Sequence, residues 1–320
     1  MPLCVSCAQP VPHLYTVYQS ANNVRLEQCP ACHSFADPYV EHDNLIVLLD
    51  LILLKRGVYR HLLFNRGSPP RYAATKPGPD DTAGNATTAD HTTDNARWML
   101  TLRVGLAVVF IDSFIRWSEL RPRSDSQEPW TTEDAHLFAR VLLGCLVETL
   151  TFHAGITASS FIVLSFHDWF ASRKTEKDKP SPVRQALRYS HIPLCLLYSS
   201  ATKFFLLFLL AVWDTSTTQA SSVSPPHEYA HTLRFENTIF LSIWNALDDN
   251  TLDRRWVVRN VLGGMSAGFG LRVVLDCHPA FTTLIILAGW AVKTGVASFV
   301  SGFVGQDRIV GEAWLEYSIP

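Results

Sequence analysis

Residues 191–213 read HIPLCLLYSSATKFFLLFLLAVW, and Lys203 is the one charged residue among them. A helix needs about 20 predominantly apolar residues to cross the hydrocarbon core of a bilayer, and this stretch has that length. Residues 281–303 form a second run of the same kind. The two stretches predict that the fold is mainly α, a polytopic bundle of transmembrane helices.

Three further stretches approach the same length, so residues 98–320 as a whole are predicted to be a transmembrane region. The first and fourth stretches along the chain each carry charged residues, and either can instead be interfacial or re-entrant. We therefore expect five spans, with three or four as the alternatives. The predicted spans are 99–117, 141–166, 191–213, 256–275 and 281–303.

The distribution of basic residues predicts how these spans are oriented. The loop 168–190 holds six Lys and Arg residues, whereas the preceding loop 118–140 holds three and the tail 304–320 holds one. Cytoplasmic loops carry such an excess, which places 168–190 in the cytosol. Two crossings back, the N-terminus is cytosolic as well, and MPLCVSCAQP lacks the basic start and apolar run of a signal peptide.

Two cysteine pairs at the N-terminus predict a metal site. Cys4 and Cys7 form one C-x-x-C pair, and Cys29 and Cys32 form another after twenty-one intervening residues. Each pair directs two thiolates to one point, and a β-hairpin between the pairs brings them together as a closed tetrahedral zinc site. We predict a zinc ribbon over residues 1–40 with a structural Zn²⁺. The alternative is two disulfide or redox pairs, which a reducing cytosol disfavours.

The residues between the ribbon and the first span divide into a helix and a linker. Residues 41–66 are predicted to form an amphipathic helix, whose apolar run from Leu45 to Leu54 is interrupted by Asp50 and is too short to span. This helix either packs on the ribbon or lies at the membrane surface. Residues 67–97 are rich in Pro, Gly, Thr and Asp and predict a disordered linker.

A second metal motif is the sequence from His227 to His231, which satisfies H-E-x-x-H with Glu228. On a helix, the two histidines would share a face and the glutamate would activate a zinc-bound water. The motif follows a Ser- and Pro-rich stretch in the predicted lumenal loop 214–255. A membrane metalloprotease is therefore kept as an alternative, and we otherwise predict no catalytic residue.

Ionisable residues also lie inside the second, third and fifth predicted spans, namely Glu148 and His153, Lys203, and Lys293. Such side chains are expensive in hydrocarbon and are expected to face the bundle interior or a cavity. They predict either a polar path or headgroup site, or simple hydrogen bonding between helices and snorkelling near the ends. The net charge of −2 excludes a nucleic-acid surface, which requires clustered Lys and Arg.

The order of these features resembles the Arv family. Both cysteine pairs are followed by YVEHDNLIVLLDLILLKRGVYRHLLFN at residues 39–65 and then by a set of spans. The resemblance is strongest over residues 1–66, and over 98–320 it is one of architecture. Besides the cysteines, the residues that match the family's homology region are Tyr39, Glu41, Asp43, Tyr59, Arg60, His61, Leu62, Leu63, Phe64 and Asn65.

The resemblance implies a multi-pass protein of the endoplasmic reticulum membrane that is not an enzyme. It implies a role in sterol homeostasis through sterol uptake, transport and distribution between the endoplasmic reticulum and the plasma membrane. Effects on sphingolipids and on glycosylphosphatidylinositol (GPI) anchor intermediates are implied as well. The implied partners are membrane lipids and an enzyme of lipid metabolism in that organelle. A membrane-anchored adaptor, whose ribbon binds a partner protein, is the other alternative.

Overall fold

The computed structural model describes residues 1–18, 23–72, 86–120, 132–173, 181–220, 254–305 and 308–318. It combines a small β-subdomain at the N-terminus with a bundle of long helices, which confirms the predicted fold class. The strands are β1 Tyr15–Val17, β2 Val24–Leu26 and β3 Arg71–Tyr72. The helices are α1 Asn44–Ile52, α2 Arg56–Arg60, α3 Ala86–Leu120, α4 Thr132–Arg173, α5 Pro182–Ala186, α6 His191–Ala220, α7 Arg254–Trp256, α8 Gly263–Leu275, α9 Pro279–Val304 and α10 Arg308–Ser318.

The N-terminal sheet has the strand order β2-β1-β3. β1 and β2 are antiparallel, with Tyr15 opposite Leu26, and β3 joins β1 in parallel. β3 belongs to residues 67–97, which the composition predicted to be a linker. Two parts of this segment have regular structure. Arg71–Tyr72 pair with β1 through backbone hydrogen bonds, and α3 begins at Ala86.

The segment predicted as one amphipathic helix over 41–66 forms two helical pieces. α1 ends in a turn in which the amide of Lys55 donates to the carbonyl of Asp50, and Leu54 adopts a left-handed backbone with φ of 56°. This is the hydrogen-bond pattern that commonly terminates helices. α2 follows at once and continues as a π-helical turn over His61–Asn65. The α1–α2 segment (Asn44–Asn65) is therefore a bent unit rather than a straight rod.

Four helical segments are long and apolar enough to cross a membrane: Asp94–Leu120, Thr132–Trp169, His191–Val212 and Pro279–Val304. They coincide with the predicted spans 99–117, 141–166, 191–213 and 281–303. Large apolar side chains on them point outward, with Phe208 exposed by 62% and Phe299 by 84%. Such an exterior suits contact with lipid rather than water.

The fourth predicted span, 256–275, lies in a continuous helical stretch from Arg254 to Leu275 that is not regular throughout. Val257–Leu262 is a π-helical turn, and α8 then has 13 residues before Asp276 adopts a left-handed backbone. At about 1.5 Å per residue, α8 alone is about 20 Å long, and α7 and the π-helical turn extend the helical stretch toward the ~30 Å thickness of a bilayer core. Its glycines let it approach its neighbours closely: a Cβ on Gly270 would lie 2.7 Å from the sulfur of Cys195. This segment is not among the four helical segments described above as long and apolar enough to cross a membrane.

A single apolar core joins the β-subdomain to the bundle. It contains Leu3 and Val5 from the N-terminus, Tyr59 from α2, Cys195 from α6 and Val274 from α8, all of them buried. The carbonyl of Ile52 at the end of α1 also accepts a hydrogen bond from the Thr202 hydroxyl of α6, at 3.1 Å. The N-terminal subdomain consequently packs directly against the helices.

Candidate metal centre

The four predicted ligands, Cys4, Cys7, Cys29 and Cys32, come together at the edge of the sheet. Their sulfur atoms all lie within 4.8 Å of one another. The Cys4 and Cys32 sulfurs are 3.7 Å apart, and those of Cys7 and Cys29 are 3.6 Å apart. A tetrahedral ion with metal–sulfur bonds of about 2.3 Å places its ligands about 3.8 Å from one another. The cluster therefore fits a four-coordinate metal ion.

Each cysteine pair sits on the same kind of tight turn. The amide of Ala8 donates to the carbonyl of Cys4, and the amide of His33 donates to the carbonyl of Cys29, both at 2.9 Å. Ala8 and His33 both adopt left-handed backbones, with φ of 64° and 59°. A non-glycine residue in this region costs about 1–2 kcal/mol. Metal coordination is an interaction strong enough to hold both turns in this shape.

The protonation of the thiols couples metal binding to pH. Burial raises the pKa of Cys4, and it raises the pKa of Cys7 to about 12. In contrast, the backbone N–H of Ser34 stabilises the thiolate of Cys32 and lowers its pKa to about 6. Because only thiolates bind the metal, its binding would displace protons from Cys4 and Cys7. Metal affinity therefore falls as the pH falls.

Arg60 of α2 lies against the first cysteine turn. Its guanidinium nitrogen Nη1 donates to the carbonyl oxygens of Val5 and Ser6, each at 2.9 Å. Both carbonyls belong to the loop between Cys4 and Cys7, so this one side chain fixes the path of the chain between two ligands. The hydrogen bonds are charge-assisted and stronger than those of neutral groups.

Asn65 joins the end of the π-helical turn to Leu3, which lies in the N-terminal segment just before the first cysteine pair. Its side-chain oxygen accepts from the amide of Leu3 at 2.8 Å, and its nitrogen donates to the Leu3 carbonyl at 2.8 Å. The same nitrogen donates to Asp37 at 2.7 Å, and His61 Nδ1 lies 2.8 Å from the same Asp37 oxygen. Asp37 is fully buried, so these partners supply the hydrogen bonds that its carboxylate requires.

Tyr39 connects this network to α1. Its hydroxyl donates to Asp50 at 3.0 Å, and burial raises its pKa to about 12, so it remains a donor at neutral pH. Its ring leaves little space at α2, where a Cβ on Gly57 would lie 3.1 Å from it. Together with the bonds of Arg60 and Asn65, this contact clamps the α1–α2 segment onto the metal-binding loops.

The structure can be compared with the site residues that the sequence predicted. Spacing alone predicted the four ligands, whereas the roles of Tyr39, Arg60, His61 and Asn65 were not predicted beyond their match to a homology region. Asp37 was missed altogether, and its one sequence signal is its place between the second cysteine pair and Tyr39. The motif His227–His231 lies outside the described residues.

Replacing Asn65 by Leu is expected to destabilise the subdomain by about 2–4 kcal/mol. The substitution leaves the backbone groups of Leu3 and the carboxylate of Asp37 buried without their partner. Amide hydrogen exchange at Leu3 in the detergent-solubilised protein measures the effect, with the exposed Asn23→Leu as the control. Unchanged protection in Asn65→Leu would show that the clamp contributes nothing.

The sequence of this chain matches a family model and several known proteins. A model of the Arv1-like family matches residues 3–225. The chain is 25% identical over 228 residues to Protein arv1 of Schizosaccharomyces pombe, covering 69% of this chain and 68% of that protein. It is 27% identical over 232 residues to the Protein arv1 homolog of Dictyostelium discoideum, covering 66% and 74%.

A shorter and more similar match links the chain to Protein ARV1 of Saccharomyces cerevisiae, with 51% identity over 63 residues. It covers 20% of this chain and 19% of the yeast protein. No solved structure matches the chain. The family match extends over more than half of the chain and includes all four clustered cysteines and the segment that clamps them. The chain therefore belongs to the Arv1-like family.

Proposed function

We propose that this protein mediates sterol homeostasis at the endoplasmic reticulum membrane. It acts in sterol uptake, transport and distribution between that membrane and the plasma membrane, with effects on sphingolipid and GPI-anchor intermediates. One observation supports the proposal: the homology segment of an Arv1-like chain forms a unit around four clustered cysteines that packs on a bundle of long apolar helices. The side chains of Tyr39, Arg60 and Asn65 hold this unit together through hydrogen bonds.

The metal of this unit is proposed to be Zn²⁺ in a structural role. Four sulfur ligands at tetrahedral spacing suit zinc, and they fill all four positions, so none remains for water. A site of this kind stabilises a fold and does not activate a nucleophile. On this ground we propose that the protein is not an enzyme, and that its partners are membrane lipids and an enzyme that acts on them.

The surface of α1 supports a position at the membrane. Leu45, Leu48, Leu49 and Leu53 are each exposed by 47% or more, although the helix lies beside the span formed by α6. Lipid is the environment in which such a leucine-rich face is stable. We propose that the N-terminus is cytosolic. The excess of Lys and Arg in the loop 168–190 favours a cytosolic position for that loop, and two crossings separate the loop from the N-terminus.

This orientation predicts that Asn85 carries no N-glycan, although Asn85-Ala86-Thr87 is an acceptor sequence. The acceptor would face the cytosol, where it is not modified. The measurement is the electrophoretic mobility of the protein before and after endoglycosidase treatment, compared with Asn85→Gln. As the control, an acceptor sequence engineered at Gln219 should be glycosylated. A glycan on Asn85 would reverse the proposed topology.

The functional test is complementation in cells that lack the protein. Such cells should accumulate sterol in the wrong membrane, with no single covalent conversion abolished. The wild-type chain should restore the distribution, and a chain with Cys4→Ser and Cys7→Ser should not, since its ribbon is unfolded. Glu228→Ala should restore it fully. Failure of Glu228→Ala at normal protein abundance would instead favour the membrane metalloprotease.

A further inference from the structure

A polar cavity of about 110 Å³ lies at the centre of the helix bundle. Its walls come from α3, α4, α6, α8 and α9 and from the π-helical turn before α8. At roughly 10–15 Å³ per water, it has room for several waters or for one small polyatomic group with its first waters. The charged residues in its wall are Asp112, Arg116, Glu148, Lys203, Arg259 and Lys293.

Arg116 is the hub of this cavity and is 4% exposed. Its guanidinium donates to Asp112 at 3.1 Å and to Glu148 at 2.9 Å. It also donates to the Ser318 hydroxyl of α10 at 2.9 Å. Two carboxylates from different helices therefore share one guanidinium, which is the arrangement that buried ions require.

Two other cations are also paired with carboxylates. Lys203 lies 3.3 Å from the second oxygen of Asp112, and Arg259 lies 3.3 Å from Glu119. Lys293 lines the same cavity, yet it has no hydrogen bond or ion pair with any residue that the structure describes. With ordinary charges, the four cations of the cavity wall face two carboxylates in the wall, Asp112 and Glu148. Glu119 lies outside the wall and is shared by Arg259 and Arg255, so the wall carries an excess of positive charge.

Unused hydrogen-bonding atoms accompany this excess charge. The side-chain nitrogen Nδ2 of Asn260, the oxygen Oε1 of Glu148 and the ring nitrogen Nε2 of His153 are buried and have no hydrogen-bond partner among the residues that the structure describes. All three residues line the cavity, and Asn260 and Glu148 are exposed by only 4% and 1%. Buried polar groups are rarely left unsatisfied, so this set indicates a site for a ligand.

We propose that the cavity binds a phosphate-type oxyanion, either as the phosphate of a lipid headgroup or as a free ion. Its oxygens would accept hydrogen bonds from Lys293 and Asn260 and would balance the excess positive charge. Neighbouring hydroxyls of a headgroup would donate to Glu148 and His153. A sterol, with one hydroxyl and no charge, leaves Lys293 unbalanced, so the proposal goes beyond the proposed function and does not depend on it.

The test uses purified full-length protein and native mass spectrometry. Phosphatidylinositol is titrated against the protein, with diacylglycerol of the same chains as the phosphate-free control lipid. We expect one saturable phosphatidylinositol per chain and no comparable binding of diacylglycerol. Lys293→Met should weaken the binding roughly ten- to a hundredfold, as expected for loss of a charge-assisted hydrogen bond. Lys293→Arg should retain it, and Lys55→Met, the same change at a side chain that is 55% exposed, should have no effect.

A second arm distinguishes the two sources of the anion. Inorganic phosphate is added at millimolar concentration while the melting temperature and the bound lipid are followed. Lipid binding that persists in phosphate identifies a headgroup site. Stabilisation by phosphate in the wild type but not in Lys293→Met, without lipid retention, identifies a free oxyanion. Both outcomes support an anion site.

Equal behaviour of folded wild-type and Lys293→Met protein in both arms would overturn the proposal. If Lys293→Met does not fold, Asn260→Leu removes the second donor and serves in its place. Normal sterol distribution in cells expressing Lys293→Met would leave the anion site standing, because the two readouts are independent.

Discussion

Changing Cys4 or Cys29 to Ser unfolds the N-terminal ribbon and releases its metal, while the apolar helices remain in the membrane. The apolar residues around the cluster, Val11, Leu14 and Ala36, are too few to hold a subdomain of this size. Metal binding on the order of 10 kcal/mol is then most of its folding free energy. Loss of one thiolate breaks the tetrahedral set and removes most of that stabilisation.

Two measurements check this expectation in the full-length protein. Elemental analysis should give one zinc per wild-type chain and none in Cys4→Ser, and limited proteolysis should cut the variant within the first 66 residues. Cys277→Ser is the matched control, because Cys277 is a half-buried thiol outside the cluster. A Cys4→Ser protein that retains zinc and resists proteolysis would show that the four cysteines do not act as one site.

Replacing Arg116 by Met is expected to lower the stability of the helix bundle by about 3–5 kcal/mol. The substitution keeps an unbranched apolar stem but removes the guanidinium, which leaves Asp112 with Lys203 alone and Glu148 buried without its ion-pair partner. Thermal unfolding in detergent measures the loss. The double variant Arg116→Met with Glu148→Gln should recover part of it, because no uncompensated charge then remains at that position.

The double variant also decides whether the ion pair itself is responsible. A loss equal to the sum of the two single variants would mean that Arg116 and Glu148 act independently, contrary to the geometry. Arg116→Lys tests the shape of the group, since an ammonium cannot bridge two carboxylates as the planar guanidinium does. It should be intermediate in stability between the wild type and Arg116→Met.

Local features of this fold were predictable from sequence, and long-range ones were not. Each cysteine pair is closed by a bond between residues four apart, so spacing alone revealed the ligands. The bonds between Asn65 and Leu3 join residues 62 apart, and those between Arg116 and Ser318 join residues 202 apart. No periodicity or composition encodes such pairs.

The membrane region shows the same division. Hydropathy identified the segments 99–117, 141–166, 191–213 and 281–303, because length and apolarity are properties of a segment by itself. It also selected 256–275, where the helical stretch contains a π-helical turn at Val257–Leu262 and ends at the left-handed residue Asp276. A count of apolar residues does not detect such backbone features.

The apolar core shared by the ribbon and the bundle ties the fate of the whole polypeptide to its ion. Leu3 and Val5 on one side and Val58 and Tyr59 on the other are buried only while they face each other. Once the ion is lost, these surfaces separate and expose apolar area of the kind that chaperones and proteases recognise. In a cell that lacks the metal, this protein would therefore be degraded. Shortage of the metal would then disturb the sterol distribution that the protein is proposed to maintain.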